Sequence, residues 1–128
     1  MIFNAFEQLI KVNELEQSDG QAVLHVMVDK DHMNASQTLH GGFIASLLDS
    51  ASGYAGLSTL SKNYGLIAVQ FNVNFVRVAS EGELIAEAKV IKSGIQVLHI
   101  ESVLLDKERV AIACAQGVWL VQRNVVKV

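Results

Sequence analysis

The chain has 128 residues, the length of a single domain, and can bury a core without disulfide bonds or a structural metal. Its formal net charge is −3 and it has no run of Lys or Arg, which argues against nucleic acid as a partner. Hydrophobic residues make up 51%, a share that favours self-association, yet no window reaches the ~18 consecutive apolar residues of a membrane span.

The first predicted element is a short amphipathic helix over residues 2–10, where apolar side chains recur at helical spacing. The same segment lacks the basic leader and the cleavage site of a signal peptide. Residues 21–29 (QAVLHVMVD) alternate as a strand with one apolar face. Residues 30–38 (KDHMNASQT) then predict a polar loop in which Ser36 or Thr38 caps the next helix.

A long helix is predicted over residues 38–56, and Asp49 is the only ionisable side chain between His40 and Lys62. A helical wheel places Asp49 at the centre of a small face, opposite a large face that should pack on a sheet. The small face comprises Gly42, Ala45, Ser46, Ser52, Gly53 and Gly56, and the large face Phe43, Ile44, Leu47 and Tyr54. Two interpretations stay open: Asp49 is a solvated surface residue, or a ligand reaches it across the small face.

Four strands follow, over residues 67–78, 83–92, 95–106 and 110–122, with tight turns at 92–94 and 106–109. Short connections predict that consecutive strands pair antiparallel. The predicted fold class is therefore α+β, an antiparallel sheet of about five strands with one long helix on one face.

The last strand carries a row of very small residues at 111, 113, 115 and 117, which predicts a bulky group packed against it. Cys114 on the same strand is expected in the core, and Trp119 is expected to be a packing residue. Because Cys114 is the only cysteine and has no internal disulfide partner, a cytoplasmic location is the default.

The sequence His40, Gly41, Gly42 lies where the long helix should begin. Glycines at a helix N-terminus leave unpaired backbone N–H groups unobstructed, and the helix dipole adds partial positive charge there. Such an end suits a developing oxyanion. His40 itself is either a catalytic base or, more in keeping with its position, a residue that holds the turn by hydrogen bonds.

Asn34, the His40–Gly41–Gly42 sequence and Asp49 together resemble the hotdog-fold acyl-CoA thioesterases of the 4-hydroxybenzoyl-CoA thioesterase superfamily, closest to the phenylacetate-pathway branch. The resemblance covers nearly the whole chain, because the order of elements after Asp49 also matches. It implies one domain over residues 1–128, with the sheet wrapped round the central helix. It also implies an acyl-CoA substrate, no metal or redox cofactor, and active sites between two subunits of a homodimer that pairs into a homotetramer.

The resemblance also assigns roles. Asp49 matches the catalytic carboxylate, as general base or nucleophile, Gly41 the backbone donor to the thioester carbonyl, and Asn34 a residue that holds the attacking water. Ala68 stands where some members have Ser or Thr, and no Pro follows Phe75. His40 is included in the catalytic set. The implied substrate and CoA contacts are Gly42, Phe75, Lys92, Ser93, Gly94, Ile95, Gln96 and Val97. Lys92 is equally well explained as a solvated turn lysine.

Two other functions remain open. A hotdog enoyl-CoA hydratase or dehydratase is disfavoured because its usual Pro-rich segment is absent. A non-catalytic acyl-CoA binding module remains an alternative because Ala68 replaces the Ser or Thr of some members. The histidines at 25, 32 and 99 have no metal-ligand spacing, so no metal site is predicted. No GxSxG occurs, which argues against a serine hydrolase.

Overall fold

The structure, a computed structural model, describes residues 3–124. The α-helices are α1 (Ala5–Leu9) and α2 (Gly41–Leu57), and a 3₁₀ turn lies at Lys30–His32. The strands are β1 (Glu14–Ser18), β2 (Gln21–Met27), β3 (Gly65–Phe75), β4 (Glu83–Ser93), β5 (Val97–Asp106) and β6 (Ala111–Gln122). Ile2 of the predicted first helix and the last four residues of the predicted domain lie outside the described part. None of the described helices has the length and apolar character that a bilayer crossing requires.

The six strands form one antiparallel sheet in the order β1-β2-β4-β5-β6-β3, and α2 packs on one face of it. The predicted α+β hotdog arrangement is confirmed, with six strands instead of about five. The extra strand is β1 (ELEQS), which has no apolar face because only Leu15 is even half-buried. It forms by pairing with β2 across the two-residue turn at Asp19 and Gly20, where Gly20 has φ +74°.

The expectation that consecutive strands pair is confirmed for β4, β5 and β6 and wrong for β3. β3 pairs with β6, and β4 lies between β2 and β5. The connection over residues 76–82 is the physical reason, because it passes the start of α2, where the Ala79 carbonyl accepts a hydrogen bond from the Leu39 N–H at 2.8 Å. β3 is therefore an edge of the sheet.

Phe43, Ile44 and Leu47 of the large face of α2 lie in the core as predicted, whereas Tyr54 is only half-buried. The small face is divided. Ser52 is fully buried, and Gly56 is pressed so closely against Leu66 that an added Cβ would collide with it. Gly53, by contrast, has nothing within 4 Å of an added Cβ. The wheel was therefore wrong to group Ser52 and Gly56 with Asp49, because the sheet curves round the helix and covers one flank of that face.

On β6, the small residues Ala113, Ala115 and Gly117 face inward as the alternation predicts. Gly117 is crowded by the backbone of β3 and by the ring of Trp119, which supplies the predicted bulky group. Cys114 lies on the opposite face of β6 and is exposed, so the prediction that it lies in the core was wrong. The turn predicted at residues 92–94 lies further along, because β4 continues to Ser93 through a bulge.

Candidate active site

The start of α2 is organised by His40, which is the N-cap residue. Its Nδ1 accepts a hydrogen bond from the Gly42 N–H at 2.8 Å, and its carbonyl accepts from the Ile44 N–H at 3.1 Å. A Cβ at Gly42 would lie 3.0 Å from that Nδ1, so glycine leaves room for the cap. The interpretation of His40 as a residue that holds the turn is confirmed, and the predicted caps Ser36 and Thr38 are wrong.

Gly41 is the first residue of the helix, and its N–H has no hydrogen-bond partner within residues 3–124. Phe75, at the end of β3, lies beside it, with its Cε1 3.4 Å from where a Gly41 Cβ would be. We call Gly41, Gly42 and Phe75 the Gly41 corner. Phe75 is 56% exposed, so the corner is open to solvent and to a ligand.

The Asn34 side chain organises the loop that leads into α2. Its Oδ1 accepts hydrogen bonds from the Ser36 N–H at 2.9 Å and the Thr38 N–H at 3.2 Å, and its Nδ2 donates to the Thr38 hydroxyl at 2.8 Å. Thr38 is thereby used as an acceptor within the loop instead of as a helix cap. The contact of Asn34 with an attacking water stays a prediction.

Asp49 lines a cleft of about 420 Å³ between α1, α2, β3 and β6, which we call the Asp49 cleft. Glu7 of α1, Gly53 of α2, Ala68 of β3 and Trp119 of β6 contribute to its walls. Ala68 therefore lines the same cleft as the carboxylate, at the position where the resemblance implied that some members carry a hydroxyl. The open space at Gly53 belongs to the same cleft and agrees with the predicted approach across the small face.

Asp49 is exposed at the mouth of the cleft, yet the surrounding walls remove enough water to raise the pKa of its carboxyl above the usual range. The negative charge of Glu7 adds to this rise, whereas the Trp119 indole, as a hydrogen-bond donor, opposes it. A raised pKa makes the ionised carboxylate a stronger base toward water.

Asp49 and the Gly41 corner do not meet within one chain. Eight residues of α2 separate Asp49 from Gly41, or about 12 Å along the helix at 1.5 Å per residue. Seven residues of β3 separate Ala68 from Phe75, or about 23 Å along the strand. Of the predicted catalytic residues, the chain brings Gly41 and His40 together near the Asn34 loop and holds Asp49 apart from them.

The predicted CoA contacts lie at the β4–β5 hairpin. Residues 92–96 are exposed, and Val97 is half-buried. The hairpin is fixed by hydrogen bonds from the Gly94 N–H to the Val97 carbonyl at 2.8 Å and from the Val121 N–H to the Gln96 carbonyl at 2.7 Å. Gly94 leaves only 3.1 Å between an added Cβ and the Val97 oxygen. None of the six residues lines the Asp49 cleft.

Sequence reasoning missed three residues of the cleft. Trp119 was assigned to packing alone, and Glu7 and Tyr54 were not singled out as a pair. The Tyr54 hydroxyl donates to Glu7 Oε1, a contact between residues 47 positions apart that no local pattern reveals. The one available signal was the spacing of Asn4 and Glu7, which form a capping box at the start of α1.

Two other features of the described residues lie away from this cleft. Possible metal-ligating atoms of Glu14, Glu16 and His25 lie within 4.8 Å of one another, although no metal site was predicted, because the β1–β2 hairpin places Glu14 opposite His25. His25 Nε2 already lies at hydrogen-bond distance, 2.8 Å, from Glu16 Oε2. A larger hollow, of about 680 Å³, is lined by Lys89, Glu101 and other residues, none of them a predicted site residue.

The chain matches a family model described as thioesterase superfamily over residues 36–113. It is 32% identical to human acyl-coenzyme A thioesterase 13 over 114 residues, covering 88% of this chain and 80% of that protein. A putative esterase of Archaeoglobus fulgidus is also 32% identical, over 113 residues that cover 86% of this chain and 70% of the relative.

Solved structures show the same fold. The Escherichia coli PaaI protein from the phenylacetic acid degradation operon has a TM-score of 0.84 at 25% identity, covering 94% of this chain and 84% of that one. A thioesterase from Staphylococcus aureus has a TM-score of 0.88 at 18% identity, covering 93% and 99%. The family match spans more than half of the chain and includes both Asp49 and the Gly41 corner. The chain therefore belongs to the thioesterase superfamily and is a thioester hydrolase with the hotdog fold.

Proposed function

We propose that the protein hydrolyses an acyl-CoA thioester to the free acid and CoA, with Asp49 as the general base or the nucleophile. The observation that carries this proposal is the raised pKa of the Asp49 carboxyl, which lines a cleft. Asp49 lies on α2, and the first N–H of that helix, at Gly41, has no hydrogen-bond partner within the described residues. The names of relatives such as human acyl-coenzyme A thioesterase 13 support CoA as the thiol.

The chemistry needs a base and an oxyanion donor. In the general-base route, Asp49 accepts a proton from water as the water oxygen bonds to the thioester carbonyl carbon. Negative charge then develops on the carbonyl oxygen, where the Gly41 N–H donates a hydrogen bond. The Gly42 N–H is already taken by His40, so Gly41 is the donor that the turn leaves free. Collapse of the tetrahedral intermediate breaks the carbon–sulfur bond, and the leaving sulfur takes up a proton.

A second copy of the chain supplies the missing half of the site. The outer edge of β3 pairs with no strand among the described residues, and Ile67 and Val69 on it are 46% and 56% exposed. A long edge strand with unpaired backbone groups and exposed apolar side chains is a ready template for strand pairing. Antiparallel pairing of two β3 strands about a two-fold axis places the start of one beside the end of the other. The Gly41 corner of one copy then meets the Asp49 cleft of its partner.

The remaining parts of the proposal follow the family resemblance. The homodimer pairs further into a homotetramer, and one domain spans residues 1–128. The β4–β5 hairpin, with Lys92 at its edge, contacts the CoA moiety. Hydrolysis by water, a carboxylate and a backbone donor needs no metal or redox cofactor. The single unpaired cysteine favours a cytoplasmic location.

A panel of acyl-CoA esters of short, medium, long and aromatic acyl groups, assayed for release of free thiol, tests the function. Asp49→Asn should lower kcat on the best substrate by ~10²–10⁴, the usual loss when a general base is removed. Asp19→Asn, at an exposed aspartate in the β1–β2 turn, is the matched control and should leave kcat unchanged.

Three results would overturn the proposal. Asp49→Asn that keeps more than about a tenth of wild-type turnover would remove Asp49 from the chemistry. Hydration of an enoyl-CoA without thiol release would indicate a hydratase. Tight binding of acyl-CoA without turnover of any ester would indicate a binding module.

A further inference from the structure

Glu7 is a buried carboxylate that the reaction as described does not use. It is only 4% exposed, although it belongs to the short helix α1. Its Oε1 accepts hydrogen bonds from the Tyr54 hydroxyl at 2.5 Å and from the Asn4 N–H at 3.2 Å. The contact with Tyr54 fastens α1 to α2, five residues along from Asp49. Burying a carboxylate is unfavourable unless it is hydrogen-bonded, so this arrangement holds Glu7 in one defined place.

The charges that face Asp49 are unbalanced. Within the described part of the chain, the cleft is lined by two carboxylates, Asp49 of α2 and Glu7 of α1, and by no Lys, Arg or His. Tyr54 is the only other titratable group in the lining. β3 contributes Leu66 and Ala68, and β6 contributes Trp119, all uncharged. The Glu7 charge therefore acts on Asp49 without a neighbouring cation to compensate it.

We propose that Glu7 is a positioning residue of the thioesterase site: the Tyr54 hydroxyl holds its carboxylate in the Asp49 cleft, where it acts electrostatically on Asp49. This inference rests on the proposed role of Asp49 as the reacting carboxylate. α1 is then a functional wall of the site as well as a packing element.

The electrostatics give the direction of the effect. A nearby like charge disfavours the ionised form of a carboxyl, so Glu7 contributes to the raised pKa of Asp49. Burial, and then the hydrogen bond to Glu7, also raise the pKa of Tyr54, so its hydroxyl keeps the proton that it donates. The Tyr54–Glu7 hydrogen bond, which we call the clamp, therefore persists over the pH range in which Asp49 ionises.

The test is the pH profile of kcat/KM on the best acyl-CoA ester, compared between wild type and Glu7→Gln. Gln keeps the shape and can still accept from Tyr54, so the fold should be retained, as circular dichroism and a melting curve would verify. Loss of the charge lowers the pKa of Asp49, so the acidic limb of the profile should move to lower pH. On the plateau above the limb, the rate should fall because a weaker base remains.

Two further variants separate this role from a structural one. Glu108→Gln removes an equal charge from an exposed turn and should leave the limb in place. Tyr54→Phe keeps the ring and removes the clamp, so it should move the limb in the same direction as Glu7→Gln, and it should add no further shift in the Glu7→Gln background.

Suppose that the acidic limb of the pH profile lies at the same pH for Glu7→Gln and Glu108→Gln, while Asp49→Asn is inactive. That result overturns this inference and leaves the proposed function intact. An Asp49→Asn variant that stays active overturns the proposed function itself, so the two failures are distinguishable.

Discussion

Replacing Gly41 by Pro removes one backbone N–H from the start of α2 while disturbing little else. Gly41 is the first helical residue, a position that Pro favours because its fixed φ suits the helix and its missing N–H leaves no helical bond unmade. The preceding residue must be extended, and His40 has φ −65° and ψ 133°. The His40 cap uses the Gly42 N–H and is therefore unaffected.

The expected effect is on the transition state. The Gly41 N–H has no partner within the described residues, so its removal costs no existing hydrogen bond. Loss of a single oxyanion donor typically lowers kcat by ~10²–10³, or about 3–4 kcal/mol. KM for acyl-CoA should change little, because the hydrogen bond strengthens only as charge develops on the oxygen. The melting temperature should hold or rise, since a compatible Pro restricts the unfolded chain.

Steady-state thiol release from the best acyl-CoA ester gives kcat and KM for each variant. Gly41→Ala is the matched control, because it keeps the N–H and places a carbon 3.4 Å from the Phe75 ring, which is ordinary contact. Its kcat should stay within a few-fold of wild type. A Pro variant that loses no more activity than the Ala variant would show that the Gly41 N–H does not polarise the substrate.

Three further outcomes follow from the same geometry. Assembling Asp49→Asn and Gly41→Pro chains together should restore about a quarter of wild-type activity, because half of the dimers are mixed and each has one intact shared site; a mixture as inactive as its parents contradicts a shared site. Lys92→Glu should raise KM for acyl-CoA and leave turnover of a small thioester without CoA unchanged, whereas equal effects on both refute a phosphate contact. Because the folded pKa of Asp49 is raised, its ionisation destabilises the fold as pH rises through that value. Asp49→Asn should therefore melt at or above wild type at pH 7, and the difference should vanish below about pH 3.9, the unfolded pKa; a lower melting temperature at pH 7 would contradict the desolvation argument.

Periodicity predicted both α-helices and five of the six strands, and it failed for β1. α2 and the strands β2, β4, β5 and β6 each carry an apolar row that points into the core. β1 is polar on both faces and exists through its hydrogen bonds to β2, although Asp19 and Gly20 are a turn signal that could have predicted it. The pairing of β3 with β6 depends on how the chain passes α2, which no local pattern encodes.

The same distinction applies to the site. The start of α2 is local, so the glycines beside His40 could be interpreted from sequence, down to the hydrogen bond that holds the turn. The wheel singled out Asp49, which lines the cleft, but could not show which flank of the helix the sheet covers. The Tyr54–Glu7 contact and the place of Trp119 join distant parts of the chain, and only the folded structure brings them to Asp49.

The dimer interface that we propose accounts for three observations that are otherwise unrelated. The hydrophobic share of the chain is high. Within residues 3–124, the outer edge of β3 is unpaired and exposes Ile67 and Val69, and the Gly41 N–H has no hydrogen-bond partner. Because a helix is rigid, Asp49 and Gly41 stay about 12 Å apart on α2 whatever the loops do. The Gly41 N–H must reach the carbonyl oxygen while Asp49 reaches the carbonyl carbon, directly or through one water. The two groups of a single chain are too far apart for this, so the proposed catalysis requires that each come from a different copy. In the proposed dimer, pairing of the β3 edges would bury the exposed Ile67 and Val69 side chains and, in the same step, bring the Asp49 carboxylate of one copy to the Gly41 N–H of the other.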